Sequence, residues 1–240
     1  NRAVLILGGC SEIGVAIAKK FISKQYIILL AGRSISKLEK TKIQLNQRSN
    51  TNIKIFRFDI KNYKDIEHFY NLLPIVPNII ISLAGIYYDQ HNNKKIQEMI
   101  EVNFTGTAIA LEVGAKLLFN NKEISAVIGI SSLAGERGRS SNYWYGATKA
   151  GLTTVLSGLR QKYSGSNVNI ITVKPGWVNT NFVKKESDRT SFLCNQKHEI
   201  ADLVWKSWIK RKSVVIPIKW KMINLILKLI PENIFSKLKI

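Results

Sequence analysis

The chain has 240 residues, with 36 Lys and Arg against 16 Asp and Glu, a formal net charge of +20 and a pI near 10.0. That length suits one sizeable core, and no run of about 18 uncharged apolar residues reads as a membrane-spanning helix. Two cysteines, Cys10 and Cys194, outside any CxxC spacing, and three scattered histidines, His68, His91 and His198, argue against a disulfide framework or a metal site and point to a reducing compartment.

In chain order, AVLILGG (residues 3–9) has the length of a buried strand, ends in glycines and runs into IGVAIAKKFI, whose Ile13, Ala16, Ile17 and Phe21 share one helical face. YIILLAGR (26–33) is a second buried strand, and a helix opens at Ser36. NIKIFRFDI (52–60) predicts a third strand, KDIEHFYNLL a helix stopped by Pro74, and NIIISLAG (78–85) a fourth strand. A long helix over 95–119, a strand AVIGISS (126–132), a helix over 145–163 and a strand NIITVKPG (169–176) follow. Strands that are apolar throughout and alternate with helices predict a single α/β domain over residues 1–240, a doubly wound parallel sheet of about seven strands covered on both faces. No repeat or linker interrupts it. Opening on Asn1 rather than Met, the chain is expected to lack one or more residues at its start.

Ligands of such sheets bind beyond the carboxyl ends of the strands, which directs attention to the residues there. In GGCSEIG, Gly8, Gly9 and Gly14 let backbone approach a pyrophosphate, and the following helix presents unpaired N–H groups to it. In YGATK, Tyr145 and Lys149 lie four positions apart on one helical face. A tyrosine ordinarily titrates near 10, and a fixed ammonium favours its phenolate, so Lys149 is expected to lower the pKa of Tyr145. Ser132 ends a strand aimed at the same rim, where its hydroxyl can bond a substrate oxygen.

GGCSEIG, SLAG (82–85), Asn103 in EVNFTG, ISSLAG (130–135), Tyr145 with Lys149, and PGWVNT (175–180) together resemble the short-chain dehydrogenase/reductase family over nearly the whole chain. The resemblance implies a Rossmann-type fold and an NAD(P)-dependent reductase. Its catalytic residues would be Asn103, Ser132, Tyr145 and Lys149, with Tyr145 as general acid, Lys149 also holding the cofactor ribose, and Asn103 in a water-mediated proton relay that ends at the lysine. The cofactor would meet Gly8, Ser11, Glu12, Ile13 and Gly14 in the first turn and Arg33, Asp59 and Ile60 after the second and third strands. Ala84 and Gly85 after the fourth strand, Tyr145 and Lys149, and Pro175, Gly176, Val178 and Thr180 near the nicotinamide complete the set. Two departures stand out. Leu7 replaces a common Thr, and Glu12 replaces the usual middle glycine, where it either bonds a ribose hydroxyl, favouring NAD(H), or points into solvent. Arg33 suits a 2′-phosphate, so NADP(H) is the expected cofactor and NAD(H) the alternative.

The substrate must be read outside this shared core. In GERGRSSNYWYG, Glu136, Arg137 and Arg139 fall between Ser132 and Tyr145, and Arg137 and Arg139 either bind phosphate oxygens or face solvent. Residues 217–240 form a basic, amphipathic C-terminal segment; from Lys206 onward there are nine basic residues and one acid, Glu232. This segment either lies on a membrane surface, closes the substrate pocket or joins subunits of a homo-oligomer. The overall charge, by contrast, also fits a Lys, Ile and Asn codon bias, and the intact catalytic set argues against a nucleic-acid-binding protein. GGCSEIG, SSLAGERGR, YGATKAGL and IPENIFSKLKI further resemble the branch of that family that completes epimerisation of polyprenyl-phospho-ribose to polyprenyl-phospho-arabinose. That branch implies a lipid-linked phospho-sugar substrate, a flavoprotein oxidase partner, and a cytoplasmic protein peripheral to the inner membrane. The competing expectation is a reductase of another carbonyl, such as a 3-oxoacyl thioester.

Overall fold

The computed structural model describes residues 2–47, 52–88, 92–182 and 191–238; His91 and the last two residues of the 217–240 segment lie outside them. Seven parallel strands form one sheet in the order β3-β2-β1-β4-β5-β6-β7: β1 (Ala3–Leu7), β2 (Ile27–Gly32), β3 (Ile53–Arg57), β4 (Ile79–Ser82), β5 (Ser125–Ile130), β6 (Val168–Val173) and β7 (Val214–Val215). The order reverses between β1 and β4, and there the register pairs Leu7 with Ser82. This is the point at which an open α/β sheet leaves a crevice at its carboxyl edge.

Alternation along β1 explains how both faces are covered. Val4 and Ile6 point to one side, where they join Ile17 and Phe21 of α1 (Glu12–Ile22), Leu38 of α2 (Ile35–Asn46) and Val204 of a helix near the carboxyl terminus. Leu5 and Leu7 point to the other, against Tyr70 of α3 (Ile66–Asn71), Leu111 of α5 (Thr107–Asn121) and Leu156 of α6 (Tyr143–Lys162). Every β1 side chain is fully buried, and each such aliphatic contributes roughly 1.5–3 kcal/mol relative to an exposed one.

Three features were not expected from the sequence. The long helix is α4 (Asn93–Ile100) joined to α5 through a π-helical turn, Glu101–Gly106, with Asn103 inside it; such turns recur at functional sites. By length and hydropathy alone the run Asn93–Asn121 also suffices to cross a bilayer, but half of its apolar window is buried, as in a core helix. Finally, α7 (Lys197–Ile209) and the two-residue β7 had no counterpart in the predicted elements. They lead into α8 (Ile218–Leu229) and α9 (Glu232–Phe235), which confirm helix in the C-terminal segment.

Candidate active site

A cleft of about 800 Å³ opens at the strand-order reversal. Its floor begins at the glycine turn. Gly8 holds φ +83°, and a Cβ there would sit 3.2 Å from the Leu83 carbonyl carbon and the Ala84 nitrogen, so the turn after β1 nests against the end of β4 only without a side chain. Ser11 caps α1 by accepting the Gly14 N–H at 3.1 Å. The amides of Glu12 and Ile13, both at the cleft wall, belong to the first helical turn, where N–H groups lack intrahelical partners. A glycine-floored helix terminus of this kind fits a dinucleotide pyrophosphate.

Tyr145 and Lys149 both face the cleft, on the first turns of α6. The Lys149 Nζ donates to the Ile130 carbonyl at 3.1 Å and lies 5.8 Å from the centre of the Tyr145 ring. One of its three donors is thus occupied and two remain for a ligand. A Cβ at Gly85 would lie 3.5 Å from that Nζ and 3.7 Å from the Asn103 Oδ1, so Gly85 leaves the gap in which lysine and asparagine converge. Asn103 is fully buried; its Oδ1 accepts the Ile86 N–H at 2.7 Å and its Nδ2 donates to the Ile86 carbonyl at 2.8 Å. The side-chain amide therefore fixes the segment after β4, beside the Lys149 ammonium.

Ser132, at the end of β5, accepts the Ala134 N–H at 3.1 Å and reaches the Pro175 carbonyl at 3.5 Å. Ser131 beside it donates to the Lys149 carbonyl at 2.9 Å, tying β5 to α6 so that Ser132, Tyr145 and Lys149 share one rim. Gly135 and Gly146 permit this closeness: a Cβ on either would meet backbone of α6 or of Ala134 at 2.7 and 2.6 Å.

The electrostatics differ from the expected pairing. Burial pushes the Tyr145 phenol up to about 12, against a lowering influence of the Ser132 hydroxyl and with a further push from Tyr87. Burial likewise pulls Lys149 down to about 8. Desolvation outweighs any stabilisation of a phenolate by the ammonium, so Tyr145 is held in its protonated, proton-donating form.

The remaining expected residues fall into three groups. Pro175, Gly176, Val178 and Thr180 line the cleft after β6. Arg33, Asp59 and Ile60 follow β2 and β3 but are not among the residues that line this cleft: Arg33 is exposed, Ile60 is buried in the core, and Asp59 Oδ1 accepts the Lys61 N–H at 3.1 Å. Glu12 is engaged within the protein: Oε1 accepts the Asn181 N–H at 2.7 Å and Oε2 the Lys197 ammonium at 2.6 Å.

The two loop arginines separate. Arg137 is neither a phosphate fork nor solvated. Its Nη1 donates to the carbonyls of Leu227, at 2.8 Å, and Ile230, its Nη2 to Glu232 at 2.7 Å, and its guanidinium lies 3.8 Å over the Phe235 ring. Arg139 does line the cleft; burial pulls its pKa down, and among the described residues no carboxylate pairs with it. Glu136 is also committed: burial favours its neutral form, but hydrogen bonds from Lys174 and Lys228 prevail and hold its carboxyl below the usual range.

Sequence reasoning missed the aromatic walls. Tyr87 and Phe182 enclose Tyr145, with ring centres 5.5 and 5.9 Å away. Trp220 of α8 covers Gly176, meets Trp177 edge-on at 5.4 Å and donates to the Leu193 carbonyl at 2.8 Å. Their only local signal is aromatic residues near strand ends.

A glycine-floored crevice at the reversal of a doubly wound parallel sheet, with a protonated phenol and a lysine in its wall, defines a dinucleotide-dependent oxidoreductase. The chain belongs to the short chain dehydrogenase family, whose model matches residues 2–191. It is 30% identical over 189 residues to an uncharacterized oxidoreductase of Staphylococcus epidermidis, covering 75% of this chain and 79% of that protein. Two solved structures share the fold. A short-chain dehydrogenase from Sphingobium yanoikuyae in complex with NADPH has a TM-score of 0.81 at 21% identity, over 99% of this chain and 96% of that one. A short chain dehydrogenase/reductase from Burkholderia phymatum in complex with NAD has a TM-score of 0.82 at 17% identity, over 99% and 95%.

Proposed function

We propose that the protein uses NADPH to reduce the 2-keto group of a polyprenyl-phospho-pentofuranose, giving the arabinofuranose for cell-envelope glycan synthesis. The observation that carries a phosphorylated substrate is Arg139, a partly buried guanidinium in the cleft wall with no carboxylate partner among the described residues. A cation desolvated without a counter-ion is costly, and an anionic ligand relieves that cost. The rings of Tyr87, Phe182 and Trp220 supply flat apolar surface for a sugar and its first prenyl unit. The particular sugar and lipid rest on the resemblance of SSLAGERGR and the C-terminal tail to the arabinose-forming branch.

In this reading the bound nicotinamide supplies a hydride to the carbonyl carbon. Tyr145 donates its phenolic proton to the carbonyl oxygen, Ser132 hydrogen-bonds that oxygen as negative charge builds on it, and Lys149 holds the ribose with its two open donors. The cofactor cradle fits through Gly8, the first turn of α1 and Gly85. NADPH is favoured by Arg33, whose guanidinium after β2 suits a 2′-phosphate; NAD(H) remains the alternative, and solved structures of the same fold carry each cofactor. The reading requires a partner that makes the ketone by oxidising the 2-hydroxyl, a flavoprotein in the branch resembled, working on the cytoplasmic side of the inner membrane.

Reduction of a synthetic polyprenyl-phospho-2-keto-pentose and of a 3-oxoacyl thioester, each with NADPH and with NADH, tests it. Turnover of the keto-sugar, with KM raised by Arg139→Ala and kcat largely retained, is the expected result. Preferential turnover of the thioester overturns the substrate and leaves the oxidoreductase chemistry standing.

A further inference from the structure

The C-terminal helix α8 is built inside out. Its inward face, with Trp220 and Asn224 buried, forms one wall of the cleft. Its outward face carries Ile218, Met222, Leu225 and Leu229, spaced i, i+4, i+7 and i+11, and so forms a single stripe. All four are exposed, Ile218 by 76% and Leu229 by 71%, and Ile226 beside them is exposed as well. Phe192, 82% exposed, lies 5.1 Å from the Lys219 ammonium and so extends the apolar surface past the start of the helix. Ile234 of α9 and Leu238 continue it past the end. A surface helix of a globular protein normally hides such a stripe; this one exposes it.

Lysines border the stripe. Lys221 and Lys228 flank one side and Lys219 the other, by helical spacing. Lys219 lies 3.9 Å from Glu199 and Lys228 is ion-paired with Glu136 at 2.6 Å, whereas Lys221 has no acidic partner among the described residues. Along Lys206 to Ile240 only Glu232 opposes nine basic residues, and Glu232 is paired with Arg137. A second copy of this face would oppose lysines to lysines across a two-fold axis and would therefore be repelled. An apolar stripe edged with lysines complements a surface that has an apolar interior and an anionic skin.

We infer that the outer face of α8 docks on an anionic lipid bilayer, with Met222, Leu225 and Leu229 entering the headgroup boundary and Lys221 lying among the phosphates. The helix lies in the membrane plane, being too short to cross it, and the Arg137 clamp on its carboxyl end keeps it attached to the catalytic domain. Docking therefore brings one wall of the cleft to the bilayer. This inference uses only the outer face and stands whether or not the proposed substrate is right.

Vesicle flotation tests it, comparing equimolar phosphatidylglycerol and phosphatidylcholine with phosphatidylcholine alone. The full chain is expected to float with the anionic vesicles. Met222→Gln/Leu225→Gln/Leu229→Gln is expected to lower that partition by at least about tenfold, and Lys221→Gln by roughly fivefold. Because these side chains are exposed, melting temperature and solution mass stay unchanged. The single variant Leu225→Lys separates insertion from charge: weaker flotation than wild type supports docking, and stronger flotation means diffuse attraction and overturns it. Equal flotation of the triple variant and wild type also overturns it. So does a fall in oligomeric mass in the triple variant, which would make the stripe a contact between copies.

Discussion

Glu12 and Lys197 are 185 residues apart in sequence, yet their side chains meet at 2.6 Å. The same carboxylate accepts the Asn181 N–H, so one residue of the glycine turn holds both α7 and the segment after β6 that lines the cleft. The pair is partly exposed and contributes at most about 1 kcal/mol to stability. Its larger consequence is kinetic. Glu12→Gln is expected to leave the melting temperature within about 3 °C while speeding NADPH release about five- to tenfold, because the segment that lines the cleft at residues 180–182 loses its charged acceptor. Stopped-flow fluorescence of bound NADPH measures this; an unchanged release rate would show that the latch does not govern the cofactor.

Lys149 carries a cost that function requires. Burial pulls it from an ordinary 10.5 to about 8. Between those values the unfolded chain binds a proton that the native protein has released, so stability rises with pH across that window, and the cost of the buried charge is felt in full below about pH 8. Lys149→Met removes the charge and forfeits one hydrogen bond, to Ile130. At about pH 7 it is expected to stabilise the protein by roughly 2 kcal/mol, or about 4–8 °C in Tm, with the advantage fading as pH approaches about 10. Turnover is lost at every pH. Thermal melts across that range, beside assays, check both halves.

Tyr145, held near 12 by burial, keeps its proton throughout the neutral range. The pH profile of ketone reduction should therefore descend through about pH 8, where Lys149 discharges, with no limb assignable to the phenol below about pH 11. Tyr145→Phe is expected to cut kcat by about a hundredfold or more while cofactor affinity, measured by fluorescence titration, changes little. Loss of cofactor binding in step with kcat would instead assign the phenol a binding role.

The exposed guanidinium at the end of β2 offers a test of cofactor choice. Arg33→Ser is expected to lower the NADPH-to-NADH ratio of kcat/KM by about tenfold or more, chiefly through the KM for NADPH. A ratio unmoved by this change makes Arg33 an ordinary surface residue.

The sequence shows local patterns well and distant pairings poorly. The apolar strands and glycine turn are legible because β1 is buried on both faces and Gly8 needs its positive φ. Tyr145 and Lys149 are legible because one helical turn brings them together. The roles of Glu12 and Arg137 are not, since their partners lie 169 to 185 and 90 to 95 residues away. The rise in the Tyr145 pKa is equally hidden, because it comes from enclosure by Tyr87 and neighbouring elements rather than from its helical neighbour. The short β7 has too few residues to show a period, and the π turn at Asn103 leaves apolar spacing almost unchanged.

Arg137 makes the last of these hidden pairings testable. Its Nη1 donates to the carbonyls of both Leu227 and Ile230, groups that the end of α8 leaves without intrahelical donors, its Nη2 donates to Glu232, and its flat face rests on Phe235. Lysine cannot reproduce the arrangement, since one ammonium cannot hold the carbonyls and the Glu232 carboxylate from two nitrogens of a plane that also stacks on a ring. Arg137→Ala is therefore expected to cost about 2–3 kcal/mol and Arg137→Lys nearly as much, with hydrogen exchange rising first in residues 218–238 while β1 and β4 stay protected. Because Trp220 leaves the cleft wall when α8 loosens, the KM for a bulky substrate should rise more than that for a small ketone. Uniform loss of protection across the sheet would instead mean that the clamp supports the whole fold and not the C-terminal segment alone.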